Sequence, residues 1–189
     1  MMVKTGRIIV VSGPSGVGKS SLLRRLLEKY SGKLKFSVSF TSRVKRTGEE
    51  DGVDYFFITH EEFQKNIEDG VFLEWAKVHD NYYGTSRRFI EEIINNGVDC
   101  ILDIDVQGAM SLMNKNISAL YIFIAPPSIE VLKERLFGRS TDSKEVILKR
   151  VKNAEKELLF KDKYEYIVVN DVFDNALSDL ENIIFNTDK

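Results

Sequence analysis

The stretch that decides the fold is Ile8-Ile9-Val10-Val11-Ser12-Gly13-Pro14-Ser15-Gly16-Val17-Gly18-Lys19-Ser20. Its first four residues are apolar and β-branched with no polar alternation, which predicts a strand buried on both faces. Beyond Ser20, Leu22, Leu23, Leu26, Leu27 and Tyr30 recur at helical spacing, and Gly32 follows the helix. Between strand and helix, residues 13–20 match G-x-x-x-x-G-K-[ST] in the context that motif requires. Glycines let a backbone wrap an anion with its N–H groups pointing inward. The start of the helix adds the positive end of a dipole. Lys19 would then meet β- and γ-phosphates, and the Ser20 hydroxyl would ligate Mg²⁺. The alternative is a glycine-rich strand–helix turn with no ligand.

Outward from this stretch, residues 36–40 alternate as one half-exposed strand does, and residues 41–53 read as a polar loop. Residues 54–58 read as a strand. Thr59 and Glu62 have capping-box spacing for a helix ending at Gly70, and residues 72–79 read as a returning strand. Ser86 caps a helix with Phe89, Ile90, Ile93 and Ile94 on its buried side, closed by Gly97. Residues 98–102 form an apolar strand ending in Asp103-Ile104-Asp105, followed by a helix near 107–115. Pro126-Pro127-Ser128 stops a strand at 120–124 and opens a helix to about Phe137. After a polar break at 138–143, Asp142 and Glu145 have capping-box spacing for a helix to about Phe160. A last strand at 166–169 leads through Asn170-Asp171 to a helix at 173–186. Strands alternating with helices predict an α/β fold, a parallel sheet covered by helices on both faces. Residues 37–88 depart from that pattern and read as an inserted subdomain.

Composition narrows the function. The chain has 189 residues, enough for one domain or one core with small insertions. With 27 basic and 29 acidic residues the net charge is −2, so no global basic excess favours nucleic acid. Cys100 is the only cysteine, which excludes an intramolecular disulfide and disfavours a cysteine-based zinc site. The apolar runs at 8–11 and 119–127 are too short to span a bilayer, and the N-terminal residues lack a signal-peptide layout. A cytoplasmic protein without a nucleic-acid or membrane partner is expected.

Other residues carry candidate chemistry. Asp103 and Asp105 end a buried strand, where open α/β sheets place ligands. Two residues apart, they share a face if the strand is regular, and one can hold magnesium through water. Capping by Asp is the alternative. Arg43 and Arg46 lie in the loop 41–53, Arg139 in the break after Phe137, and Arg150 on the next helix; planar guanidinium groups neutralise a transferring phosphoryl group well. Arg135 reads as solvated surface. Glu74, Tyr55, Tyr83 and Thr85 share the middle region. A carboxylate such as Glu74 accepts from both guanine N1–H and the exocyclic amino group, a pair that adenine lacks. Tyrosine hydroxyls suit phosphate oxygens. Tyr and Glu are also ordinary loop-edge residues. His60 and His79 have no partner at ligand spacing and are assigned to the surface; Cys100 reads as a small apolar filler.

GPSGVGKSSL, FSVSFTSRVKRTGEEDGVDYFF, FLEWAKVHDNYYGTS, ILDIDVQG, IFIAPPS, LKERLFGRS and IVVND resemble guanylate kinase, a P-loop nucleoside monophosphate kinase family, in order and over nearly the whole chain. The resemblance implies a P-loop core at 1–36, 89–125 and 151–189, a mixed α/β GMP-binding subdomain at 37–88 and a short helical lid at 126–150. It implies the reaction of ATP with GMP to give ADP and GDP with Mg²⁺, in an enzyme that closes over its substrates. ATP is then bound by Gly13, Pro14, Ser15, Gly16, Val17, Gly18, Lys19 and Ser20, with Asn170 and Asp171 over adenine. Ser39, Arg43, Arg46, Tyr55 and Tyr83 lie on the GMP side, most of them at its phosphate. Glu74 reads guanine, beside Thr85 and Asp105. Asp103 lies near metal and GMP, so that Ser20 and Asp103 (through water) hold the ion. Lys19, Arg46, Arg139 and Arg150 carry the catalysis. Phe40, Ser42, Lys45 and Ser140 depart from the family's usual residues; none of these changes removes a charge the mechanism needs. Oligomeric state is expected to be monomer or homodimer, and dGMP is an expected second substrate.

Three rivals are distinguishable. A scaffold domain of this fold would have a degraded loop, whereas Lys19 and Ser20 are intact. A kinase for another monophosphate would show a different acceptor preference. A GTPase would carry N-K-x-D, and Asn114-Lys115-Asn116 leads instead to Ile117.

Overall fold

Ile9, Val10 and Val11 are fully buried, as a strand with no polar alternation must be if both its faces are covered. They belong to a computed structural model that describes residues 5–78, 80–138 and 144–186. In chain order its elements are β1 (Ile8–Ser12), α1 (Lys19–Lys29), β2 (Leu34–Phe36), β3 (Phe40–Thr41), β4 (Phe56–Phe57), α2 (His60–Glu68), β5 (Phe72–Val78) and β6 (Asn81–Ser86). There follow α3 (Arg87–Asn95), β7 (Asp99–Asp103), α4 (Val106–Asn114), β8 (Leu120–Ala125), α5 (Ile129–Phe137), α6 (Lys144–Leu158), β9 (Tyr166–Val169) and α7 (Phe173–Asn186). No helix among the described residues is long and apolar enough to cross a membrane.

The chain forms two compact units. One comprises Ile9–Ser31, Asp103–Val106 and Leu120–Lys189. Its strands run parallel in the order β1-β8-β9, with Val11 opposite Ile122 and Ile124 opposite Val168. Helix α1 buries Leu22, Leu23 and Leu26 on one face, about 2 kcal/mol for each side chain removed from water. The Tyr30 ring at its end meets Phe185 of α7 at 4.3 Å, and Lys29 pairs with Glu181 at 2.8 Å. Ser128 caps α5 as expected, accepting from the Val131 N–H at 3.2 Å. The expected cap at Asp142 lies outside the described residues.

The other unit comprises Met1–Ile8, Gly32–Leu102 and Gln107–Ala119. In it β2 runs parallel to β7, and a mixed four-stranded sheet has the order β4-β3-β6-β5. The capping box at α2 is present in both directions: Glu62 N–H donates to the Thr59 hydroxyl and Thr59 N–H to the Glu62 carboxylate. Two expectations need correction. The single strand over 36–40 is two strands, β2 and β3, that join different sheets. Ser37 is buried between them and its N–H donates to the Ile101 carbonyl. The alternation Phe36-Ser37-Val38-Ser39-Phe40 is therefore a crossing between sheets. Strand β6 was not expected at all. It pairs antiparallel with β5, and its Gly84 is a requirement of packing: a Cβ there would lie 2.9 Å from the Phe63 ring and 3.0 Å from that of Phe72.

Candidate active site

The loop 13–20 emerges from β1 and enters α1, with Gly18 at the cap and Lys19 as the first helical residue. Gly18 has φ of 93°, and a Cβ there would sit 2.4 Å from the Asn170 amide nitrogen. Gly13 passes so close to β8 that a Cβ would lie 2.3 Å from the Ile124 carbonyl oxygen. Both glycines are thus fixed by conformation and contact, and the N–H groups of the first turn of α1 are left at the mouth of the loop. Asn170 braces the loop from outside: its amide donates to the Val17 carbonyl at 2.7 Å and its N–H to the Ala125 carbonyl at 2.8 Å. Arg135 in turn donates to the carbonyls of Asn170 at 2.8 Å and Asp171 at 3.3 Å. Its reading as solvated surface is corrected: it is half-buried and holds the 170–171 segment.

The Lys19 ammonium donates directly to the Asp103 carboxylate. Strand β7 ends at Asp103, so strand alternation does not extend to Asp105, and the shared face predicted for the two carboxylates is not a strand face. Glu157 of α6, which sequence reasoning missed, stands near this group. Burial first, then the Asp105 charge, pushes its carboxyl up to about 7, while Lys19 pulls the other way. Tyr164 lies alongside: its buried hydroxyl is pushed up chiefly by desolvation and faces Ser12 at the end of β1. No signal in the sequence marks Glu157, because its neighbours come from distant segments. Arg150 lies half-buried on α6, and Arg139 and Ser140 lie outside the described residues.

In the other unit the mixed sheet gathers the remaining candidates. Thr41 pairs with Tyr83 across β3 and β6, which sets Tyr83 near Tyr55, their rings 5.9 Å apart. The Arg43 guanidinium lies 5.6 Å from the Tyr55 ring and forms a fork with Glu49 at 2.7 and 3.1 Å. Glu49 also accepts the Arg46 N–H at 2.8 Å; the Arg46 residue itself is exposed, and Ser39 contributes its carbonyl to Phe56 N–H at 2.9 Å. Glu49 is the second residue the sequence reading passed over, although an acidic residue three positions after one arginine and six after another was visible. On β5, beyond a register shift between Phe72 and Glu74, the strand alternates and Glu74 shares the buried face with Ala76. Glu74 is 3% exposed and Thr85, opposite it on β6, donates its hydroxyl to the carboxylate. Phe40 stacks on Phe56 at 4.9 Å and meets Phe72 at 5.6 Å, so its half-buried ring belongs to an aromatic cluster against the mixed sheet.

Of the remaining titratable groups, Cys100 is fully buried and desolvation pushes its thiol up to about 12. It is uncharged at neutral pH and fills space. His60 is exposed and meets Tyr82 edge-on at 5.5 Å; His79 lies outside the described residues.

A parallel α/β unit whose first strand runs through such a loop into a helix is a P-loop nucleotide-binding fold. Comparison with known proteins narrows the class. The family model for guanylate kinase matches residues 5–187. The guanylate kinase of Thermotoga maritima is 48% identical over 179 residues, covering 95% of this chain and 86% of that protein. That of Caldanaerobacter subterraneus is 47% identical over 181 residues, covering 96% and 87%. The crystal structure of guanylate kinase from Anaplasma phagocytophilum superposes with a TM-score of 0.75 at 34% identity, covering 96% of this chain and 85% of that one. This chain belongs to the guanylate kinase family.

Proposed function

We propose that this chain carries out the reaction of its family, ATP-dependent phosphorylation of GMP to GDP, with its two sets of side chains dividing the substrates. Residues 13–20 hold the ATP phosphates, with Lys19 at the β- and γ-oxygens; Asn170 and Asp171 bound the adenine side. Arg43, Arg46, Tyr55, Tyr83 and Ser39 hold GMP at its phosphate end. Glu74, Thr85 and Asp105 address guanine, where a carboxylate matches two neighbouring donors. Phosphoryl transfer asks little covalent chemistry of a protein and depends on alignment and charge neutralisation. Lys19, Arg46, Arg139 and Arg150 supply that charge, the last two from the lid at 126–150. The subdomain at 37–88 carries the acceptor, and the remainder is core.

Ser20 and Asp103 suit magnesium, a hydroxyl and a carboxylate being hard oxygen ligands, Asp103 acting through water. When bound, the ion neutralises phosphate oxygens. Lys19, already on Asp103, keeps that carboxylate at the loop. dGMP is accepted as well, since no recognisable side chain reads the ribose 2′-hydroxyl. The near-balanced charge and single buried cysteine support a cytoplasmic enzyme, without nucleic-acid or membrane partner, acting as a monomer or homodimer in purine nucleotide metabolism and GMP recycling.

The observation that carries this reading is the buried Glu74–Thr85 pair in a chain that also keeps an intact phosphate loop. A coupled assay offering ATP with GMP, dGMP, AMP, CMP or UMP tests it. Transfer to GMP and dGMP is expected. Equal transfer to AMP would overturn the role of Glu74, and transfer to none would favour a binding module.

A further inference from the structure

The Arg43–Glu49 fork does more than neutralise two charges. A guanidinium carries five N–H donors in one plane. Arg43 Nη1 donates to the Val44 carbonyl at 2.9 Å and to Glu49 Oε2 at 3.1 Å, and Nη2 donates to Glu49 Oε1 at 2.7 Å. These bonds take up both Nη1 protons and one on Nη2. What they leave is the other edge of the plane, Nε–H beside the second Nη2 proton, itself a fork that matches two oxygens of a phosphate. Tyr83 is a near neighbour of the same guanidinium and, after Glu49, helps hold its charge. The rings of Tyr55 and Phe57, at 5.6 and 5.7 Å, restrict how the plane can tilt. Glu49 Oε2 meanwhile accepts the Arg46 N–H, and the Glu49 N–H donates to the Arg46 carbonyl at 3.2 Å. One carboxylate therefore fixes both the plane of one arginine and the backbone that carries the other.

We propose that Glu49 is a positioning residue: by occupying the end-on edge of Arg43 and the backbone of Arg46, it presents the side-on edge of Arg43 to the phosphate of GMP. This rests on the reading of Arg43 and Arg46 as GMP-phosphate ligands. Two effects oppose each other. A carboxylate near a phosphate repels it, while an unheld arginine must be ordered on binding. The Arg43 side chain is only 13% exposed and bonded at both terminal nitrogens, so ordering dominates. Removing the charge of Glu49 therefore weakens GMP binding.

The test is a double-mutant cycle on the full chain with Glu49→Gln, Arg43→Ala and both together. GMP binding is read by calorimetry without ATP, and KM for each substrate by steady-state kinetics. Glu49→Gln keeps an oxygen for the Arg46 N–H, and is expected to weaken GMP about tenfold while KM for ATP stays within about twofold. In the Arg43→Ala background the same change has no further effect. Wild-type GMP affinity in Glu49→Gln alongside a large loss in Arg43→Ala would overturn the positioning role and leave the ligand reading intact. Wild-type affinity in Arg43→Ala would overturn both. Tighter GMP binding in Glu49→Gln, or fully additive losses, would also contradict it. If Glu49→Gln does not fold, Glu49→Asp, which keeps the charge but is too short to span both contacts, gives the same comparison.

Discussion

The phosphate loop and the mixed sheet, as proposed, would bind a nucleotide in opposite ways. In residues 13–20 the proposed binding groups are mostly backbone N–H groups, contiguous in the chain and held by glycine conformation. Around the mixed sheet the proposed groups are side chains: Tyr83, Glu74 and Thr85 are placed by strand pairing, and Arg43 and Tyr55 lie beside them in the loops, with Arg43, Tyr55 and Tyr83 at the phosphate and Glu74 and Thr85 at the base. A loop of the first kind is legible from its residues but tolerates little change, because each glycine is fixed by contacts such as Gly13 against the Ile124 carbonyl. A site of the second kind is built one side chain at a time. Single substitutions there are expected to alter selectivity and leave the fold standing.

The largest expected effect tests the loop. Lys19→Ala removes a preorganised charge and should lower kcat/KM about a thousandfold, roughly 4 kcal/mol; a steady-state rate near wild type would break the assignment. Next comes selectivity in the sheet. Glu74→Ala should reduce the preference for GMP over AMP about a hundredfold, read as the ratio of kcat/KM values, with the melting temperature changed far less than the ratio.

A smaller effect sharpens the electrostatics around the loop. Glu157 has a folded pKa of about 7, above the ordinary value of 4.5, so the folded state binds more protons than the unfolded state between those values. Stability is therefore unaffected by this group at low pH and falls as pH rises toward 7. Glu157→Gln should gain about 2 kcal/mol at pH 8 relative to its effect at pH 5, discounted for the group's partial exposure. Urea unfolding at the two pH values reads this, and a pH-independent difference would contradict the burial of that carboxyl. The smallest effect is expected from Arg135→Ala, about 1 kcal/mol of stability from two bonds to the 170–171 carbonyls. It should be accompanied by a modest rise in KM for ATP and none for GMP.

What could be read from the sequence follows the same division. β1, the loop and α1 were legible because a continuous apolar run, a glycine pattern and helical leucine spacing all agree locally. The Thr59–Glu62 and Ser128 caps were legible for the same reason. Strand β6 was not, since Asn81, Gly84, Thr85 and Ser86 read as turn residues, and only packing against Phe63 and Phe72 explains Gly84. The 36–40 alternation misled because period two is also what a chain crossing between two sheets can show. Glu74, Tyr55, Tyr83 and Thr85 gave weak signals on chemistry alone and became a site candidate through family resemblance. Glu157 and Arg135 act through neighbours remote in sequence, which no local pattern reports.

The division of labour between loop and sheet is tested most directly by calorimetric titration of each nucleotide separately into Lys19→Ala and Arg46→Ala. Lys19→Ala should lose affinity for ATP and keep that for GMP within about twofold, and Arg46→Ala should do the reverse. Loss of GMP affinity in Lys19→Ala, or of ATP affinity in Arg46→Ala, would contradict the account.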